Sequence, residues 1–225
     1  GFADQLRAVC AVADVVEVGI PFSDPMADGP TIQASSQKAL ENGVTLAWVL
    51  DQLAEIERDA PVLLFGYLNP LLAFGYEALA ERCAQVGVSG FIVPDLPFEE
   101  SDDFRAAIEP HGLGLIQLVT PVTPLARAER LAKVSGGFLY AVTRTGITGA
   151  GELPESLAGY LAGLRGVSDV PVCAGFGIRS AETVRAIAPH ADGVVVGSAL
   201  IDVLGRGDDP QLFLNALMED EGSRC

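Results

Sequence analysis

Seven short apolar segments recur along the chain, each followed by a turn rich in Gly, Pro or Asp and then by a segment of helical periodicity. The apolar segments occupy residues 14–19, 61–66, 90–95, 114–119, 137–142, 171–175 and 193–197. Because their apolar residues are continuous and not alternating, they predict parallel strands whose faces are covered by helices. The pattern therefore predicts seven βα units of an α/β fold.

The nearest closed architecture for such units is the (β/α)8 TIM barrel, which has eight strands. The chain opens with a helix-like segment over residues 2–12 that leads directly into the first apolar segment. We therefore expect one barrel domain over residues 1–225, truncated at its N-terminus and lacking the first strand. A polar, acidic tail follows Leu217, and we expect it to be frayed.

Composition narrows the class of protein. The 225 residues are 49% hydrophobic, which suffices for a full core, and the formal net charge is −16. Such a charge repels nucleic acids and anionic membranes, so we expect neither as a partner. The four cysteines are scattered, and no signal-like or membrane-spanning apolar run is present, which predicts a reduced, cytoplasmic protein.

Glu17 is a carboxylate within an otherwise apolar predicted strand. Burying an ionised carboxylate costs several kcal/mol unless it is paired, so a use for it is expected. Desolvation raises the pKa of a carboxyl group, which suits a general acid/base near neutral pH. The alternative is a structural Glu that a buried Arg or a backbone amide satisfies.

A loop with three prolines and two further acids, Asp24 and Asp28, follows this strand and leads to a helix predicted to begin at Pro30. Asp28 is a second candidate for proton transfer. It has an equally good alternative as a helix cap, and Asp24 is better explained by an Asx turn.

Glycines follow the last two predicted strands, and Gly177, Gly197 and Ser198 are the candidates for binding phosphate there. Backbone amides at helix N-termini bind anions, and barrels commonly hold phosphate after strands seven and eight. The alternative is a pair of tight turns.

The glycine-rich segment 143–154 is predicted to be a mobile lid or else a plain surface loop. Tyr140 lies just before this segment, and its position alone does not decide whether it faces substrate or core.

The sequence lacks the residues that two known aldolase mechanisms require. Lys38 and Lys133 fall in predicted helices, away from strand ends where a Schiff-base lysine is needed. His111 and His190 follow prolines at the far ends of helices, so no zinc site is predicted. Carboxylate chemistry on a phosphorylated substrate remains, without metal or cofactor, in a pocket whose apolar lining is expected from Phe22, Phe65, Tyr67, Ile116, Leu118 and Phe176.

Residues 16–33, VEVGIPFSDPMADGPTIQ, resemble the signature segment of the tryptophan synthase alpha subunit family. The resemblance continues in family order through FGYLNPLLAFG, GFIVPDLPFEE, TPVTP, YAVTRTGITGA, AGFGIRS and VVGSAL. It implies a lyase that cleaves indole-3-glycerol phosphate to indole and glyceraldehyde 3-phosphate in tryptophan biosynthesis. It also implies a beta-subunit partner in an allosteric alpha2-beta2 heterotetramer.

The resemblance assigns roles to residues of this chain. It implies that Glu17, Asp28 and Tyr140 are catalytic, with Glu17 the acid/base and Asp28 the group that handles the indole nitrogen proton. It implies substrate contacts by Phe22, Tyr67, Thr148, Gly149, Phe176, Gly177, Gly197 and Ser198.

Two rival functions remain at this point. One is another phosphate-binding barrel enzyme, such as an isomerase or the synthase that makes indole-3-glycerol phosphate, although the synthase relies on a strand-end lysine. The other is a truncated barrel that no longer catalyses and only activates a beta subunit.

Overall fold

The computed structural model describes residues 1–143, 154–175 and 177–218. The chain divides into two compact units, Gly1–Ile116 and Gln117–Cys225. The predicted lid lies almost wholly outside the described residues, as does the acidic tail beyond Met218. A single domain over residues 1–225 stays a prediction.

All seven predicted strands form. They are β1 (Val16–Gly19), β2 (Val62–Phe65), β3 (Val88–Ile92), β4 (Gly114–Val119), β5 (Leu139–Val142), β6 (Val172–Gly175) and β7 (Gly193–Val195). In the first unit β1, β2, β3 and the start of β4 pair in chain order, and every pairing is parallel. In the second unit the end of β4 and β5, β6 and β7 pair in the same way. Continuous apolar segments thus form parallel strands, as expected.

One helix, α1 (Phe2–Cys10), precedes β1, and one or more helices follow each strand. In the first unit they are α1, α2 (Pro30–Glu41), α3 (Leu46–Ala54), α4 (Leu68–Phe74), α5 (Tyr76–Gln85) and α6 (Asp102–Ile108), with 3-10 turns at Phe98–Glu100 and Glu109–His111. In the second unit they are α7 (Leu125–Val134), α8 (Glu155–Val167), α9 (Ala181–Ile187), α10 (Ser198–Arg206) and α11 (Pro210–Met218). The predicted start of α2 at Pro30 is confirmed. Proline suits this first position because its φ is already helical and no backbone N–H is needed there.

The core of the first unit forms where helices cover the strands. Phe91 of β3 packs edge-on against Phe104 of α6 with ring centroids 5.1 Å apart, and both side chains are buried. Leu50 of α3 and Leu79 of α5 are likewise fully buried. Such side chains each stabilise the fold by about 1.5–3 kcal/mol through burial.

Arg58 joins the ends of two helices in the first unit. Its guanidinium donates hydrogen bonds to the carbonyls of Leu53 and Ile56 at the end of α3, at 2.9 and 3.0 Å. It also donates to the carbonyls of Val86 and Gly87 beyond α5. One cation here binds four carbonyls at or just beyond the ends of the two helices, where backbone carbonyls commonly lack intrahelical partners.

Candidate active site

Glu17 lies in the middle of β1, where its side chain alternates with those of the buried Val16 and Val18. It stands beside Leu63 of β2 in the parallel register. The residue is half-buried, and the desolvation of its carboxyl group raises the pKa of Glu17 to about 7. Among the described residues its carboxylate has no hydrogen bond or ion pair, so the structural alternative of a paired Glu finds no partner there.

Asp28 lies at the end of the loop between β1 and α2. The hydroxyl of Tyr67 donates a hydrogen bond to Asp28 Oδ2 at 2.9 Å and accepts one from the N–H of Ala27, also at 2.9 Å. The ring of Phe22 stacks on Tyr67 with centroids 5.3 Å apart. The structure therefore brings together three predicted site residues, Phe22, Asp28 and Tyr67, from two segments of the first unit.

Helix capping does not account for Asp28. The N-cap of α2 is Gly29, which makes no side-chain capping bond, and the Asp28 carboxylate contacts Tyr67 instead. Burial raises the pKa of Asp28, and the hydrogen bond from Tyr67 lowers it in part. Asp24 differs, because it is exposed and accepts a hydrogen bond from the neighbouring Ser23 hydroxyl.

Two residues that the sequence did not single out support this arrangement. The Ser36 hydroxyl of α2 accepts from the N–H of Phe22 at 2.9 Å and donates to its carbonyl at 3.1 Å. Asp95, just beyond β3, accepts from the N–H of Leu68 at 2.9 Å and so holds the start of α4 directly after Tyr67. The position of Asp95 after a strand was a usable signal, whereas Ser36 carried none.

Tyr140 is buried in β5 of the second unit, with 4% of its surface exposed. A Cβ atom built on Gly175 of β6 would lie 2.6 Å from Cζ of the Tyr140 ring, closer than real contacts allow. The Thr143 hydroxyl donates to the Gly175 carbonyl at 2.7 Å, just beyond Tyr140 in the strand. Gly175 therefore provides the space that the phenol ring occupies.

The candidate phosphate residues lie at two strand-to-helix turns of the second unit. Gly177 follows β6 with a φ of +83°, a conformation that side chains rarely adopt. Gly197 is the exposed N-cap of α10, and Ser198 is the first residue of that helix. The first amides of a helix lack intrahelical acceptors, so this end of α10 suits an anion.

Comparison with known proteins shows the family to which the chain belongs. The family model described as tryptophan synthase alpha chain matches residues 3–222. The chain belongs to this family. It is therefore a lyase subunit of tryptophan biosynthesis, as the sequence resemblance predicted.

Individual relatives agree with this assignment. The tryptophan synthase alpha chain of Chromobacterium violaceum is 48% identical, with 84% of this chain covering 74% of the relative. That of Nitratidesulfovibrio vulgaris is 43% identical over 97% of this chain and 86% of the relative.

Solved structures agree on the fold. Tryptophan synthase subunit alpha from Legionella pneumophila matches with a TM-score of 0.84 and 35% identity, over 96% of this chain and 84% of that one. The tryptophan synthase complex from Pyrococcus furiosus matches with a TM-score of 0.85 and 31% identity, over 97% and 90%. The predicted TIM-barrel fold class is thereby confirmed.

Some predicted site residues lie outside the described part of the chain. They are Thr148, Gly149 and Phe176. Among the residues that are described, no group of three or more His, Cys, Asp and Glu side chains is placed to hold a metal ion. No described helix has the length and apolar character needed to cross a membrane.

Proposed function

We propose that Glu17 and Asp28 carry the proton transfers by which indole-3-glycerol phosphate is cleaved to indole and glyceraldehyde 3-phosphate. The observation that carries this proposal is the carboxyl group of Glu17, which lies in an apolar strand and has no hydrogen bond or ion pair with any described residue. Its pKa of about 7 allows it both to give and to take a proton near neutral pH. The family membership supplies the reaction class.

The reaction requires that C3 of the indole be protonated before its bond to the glycerol carbon breaks. Glu17 in its acid form delivers this proton while Asp28 accepts the proton of the ring N–H, which gives an indolenine. Glu17 as a base then takes the proton of the adjacent glycerol hydroxyl. The C–C bond breaks, its electron pair restores the aromatic ring, and the ring nitrogen recovers a proton from Asp28.

Tyr67 supports the part assigned to Asp28. Burial raises the pKa of Tyr67 above its ordinary value, so the phenol remains a hydrogen-bond donor at neutral pH. Its bond to Oδ2 leaves Oδ1 of Asp28 for the indole nitrogen. The stacked ring of Phe22 adds an apolar surface beside that carboxylate, which suits a flat indole.

The remaining residue roles come from the family resemblance. We propose that Gly149, Gly177, Gly197 and Ser198 bind the phosphate, that Phe176 contacts the indole, that Thr148 contributes to substrate binding and that Tyr140 is catalytic. The positive φ of Gly177 and the exposed N-terminus of α10 support the phosphate assignment. No metal or cofactor takes part in this proposal.

The proposal includes a partner. One matching structure is that of the tryptophan synthase a2b2 complex from Pyrococcus furiosus, whose activation is mutual. We propose that this chain also forms an alpha2-beta2 heterotetramer with a beta subunit, and that the complex is cytoplasmic. Allosteric coupling then requires that beta-subunit binding change the alpha reaction, through surfaces near residues 21–30 and 146–152.

Indole release tests the proposal. The purified chain, alone and with a beta subunit, is incubated with indole-3-glycerol phosphate, and indole and glyceraldehyde 3-phosphate are quantified. We expect equal amounts of the two products and a faster rate with the beta subunit. Absence of both products under both conditions would overturn the enzymatic proposal and favour the rival in which the chain is only an activator.

A further inference from the structure

Arg179 connects the two turns at which the candidate phosphate residues lie. It sits in the turn between β6 and α9, two residues after Gly177. Its Nη2 donates a hydrogen bond to the hydroxyl of Ser198 at 3.2 Å, and its Nη1 pairs with Oδ2 of Asp202 at 2.8 Å. Ser198 and Asp202 are one turn apart on α10, so one guanidinium spans the first turn of that helix.

The hydrogen bond to Ser198 constrains what the hydroxyl can do. A serine hydroxyl has one proton and two lone pairs, and Arg has no acceptor. Because Arg179 occupies a lone pair, the Ser198 proton is directed elsewhere, and the cation makes the hydroxyl a stronger donor. Asp202 holds the guanidinium in place, so the orientation does not depend on Ser198 alone.

We propose that Arg179 is a positioning residue that orients the Ser198 hydroxyl to donate to the substrate phosphate. This inference rests on the proposed function. The Arg179 side chain is 54% exposed, so its electrostatic effect is screened by salt.

Steady-state kinetics separate this role from a purely structural one. The phosphate is held in both the ground state and the transition state, so Arg179→Ala raises KM for indole-3-glycerol phosphate about five- to twentyfold and leaves kcat within about twofold. Arg179→Lys keeps the positive charge but loses the two-pronged guanidinium that bonds both Ser198 and Asp202, so we expect a KM between those of the unsubstituted chain and Arg179→Ala. Arg206→Ala is the matched control, because it removes an exposed Arg–Asp pair from the opposite end of the same helix.

A double-mutant cycle tests the route through Ser198. In a Ser198→Ala background we expect Arg179→Ala to change KM by less than about twofold, since the hydroxyl it orients is gone. A full effect of Arg179→Ala in that background overturns the positioning role, as does an equal effect of Arg206→Ala.

Titration with inorganic phosphate keeps the inference separate from the proposed function. We expect Arg179→Ala to weaken phosphate binding and Arg206→Ala to leave it unchanged. This measurement decides the role of Arg179 even if the unsubstituted chain releases no indole. Unchanged phosphate affinity in a folded Arg179→Ala variant overturns the inference.

Discussion

Replacing Glu17 by Gln tests both the burial and the chemistry of this carboxyl group. Its pKa is about 7 in the folded chain against a solvated value of 4.5. Below pH 4.5 the group is protonated in both the folded and the unfolded chain, so it has no effect on stability. As the pH rises from 4.5 to 7 the unfolded chain loses the proton first, so the folded state is progressively disfavoured.

At about 1.4 kcal/mol for each pH unit between those two values, the ionised group destabilises the folded state by about 3 kcal/mol above pH 7. Gln removes this cost. We therefore expect the free energy of unfolding of Glu17→Gln to match the unsubstituted chain near pH 4.5 and to exceed it by about 3 kcal/mol at pH 8. Urea denaturation at both pH values measures the difference.

The same variant loses its acid/base group, so its rate of indole release falls by about 10²- to 10⁴-fold. In the unsubstituted chain we expect kcat/KM to fall as the pH rises through about 7, because the first proposed step needs the protonated form of Glu17 in the free enzyme. Glu57→Gln, which changes an exposed carboxylate, serves as the control for the loss of one negative charge. A stability difference that does not depend on pH, or an unchanged rate, would refute this reasoning.

Three further substitutions test the rest of the site. Asp28→Asn keeps an acceptor for Tyr67 and leaves the cap at Gly29 intact, so we expect an unchanged melting temperature and a fall in indole release of about 10²-fold or more. A large loss of stability with full activity would restore the capping explanation. Tyr67→Phe removes the bond that lowers the pKa of Asp28, so the acidic limb of the pH–rate profile shifts to higher pH, and an unshifted limb contradicts the coupling. Gly175→Ala places a methyl group against Tyr140, so we expect urea denaturation to show a free energy of unfolding lower by about 1–3 kcal/mol. In a Tyr140→Ala background the same substitution should lower it much less. An equal loss in that background would mean that another contact is responsible.

The strands and the start of α2 were predictable because their signals are local. Continuous β-branched and aliphatic residues specify a buried parallel strand, and the proline at position 30 specifies a helix start whatever the tertiary structure. The boundaries shifted by up to three residues, as in β3, which runs from Val88 to Ile92 where the predicted segment was 90–95.

The role of Asp28 was not predictable from local pattern, since the residues around it equally suit a cap. Its partner Tyr67 is 39 positions away in the chain, and only the folded first unit brings the two together. Arg179 was missed for the same reason, because its contacts with Ser198 and Asp202 span 19 and 23 positions. Glu17 was predictable because a carboxyl within an apolar strand is anomalous without any knowledge of its neighbours.

The fit between Tyr140 and Gly175 restricts how this chain can change over evolutionary time. Any side chain at position 175 overlaps the phenol ring, so residue 140 must first become smaller before position 175 accepts a substitution. The reverse order passes through an intermediate that is destabilised by about 1–3 kcal/mol. The cost of a substitution at position 175 therefore depends on which residue already occupies position 140.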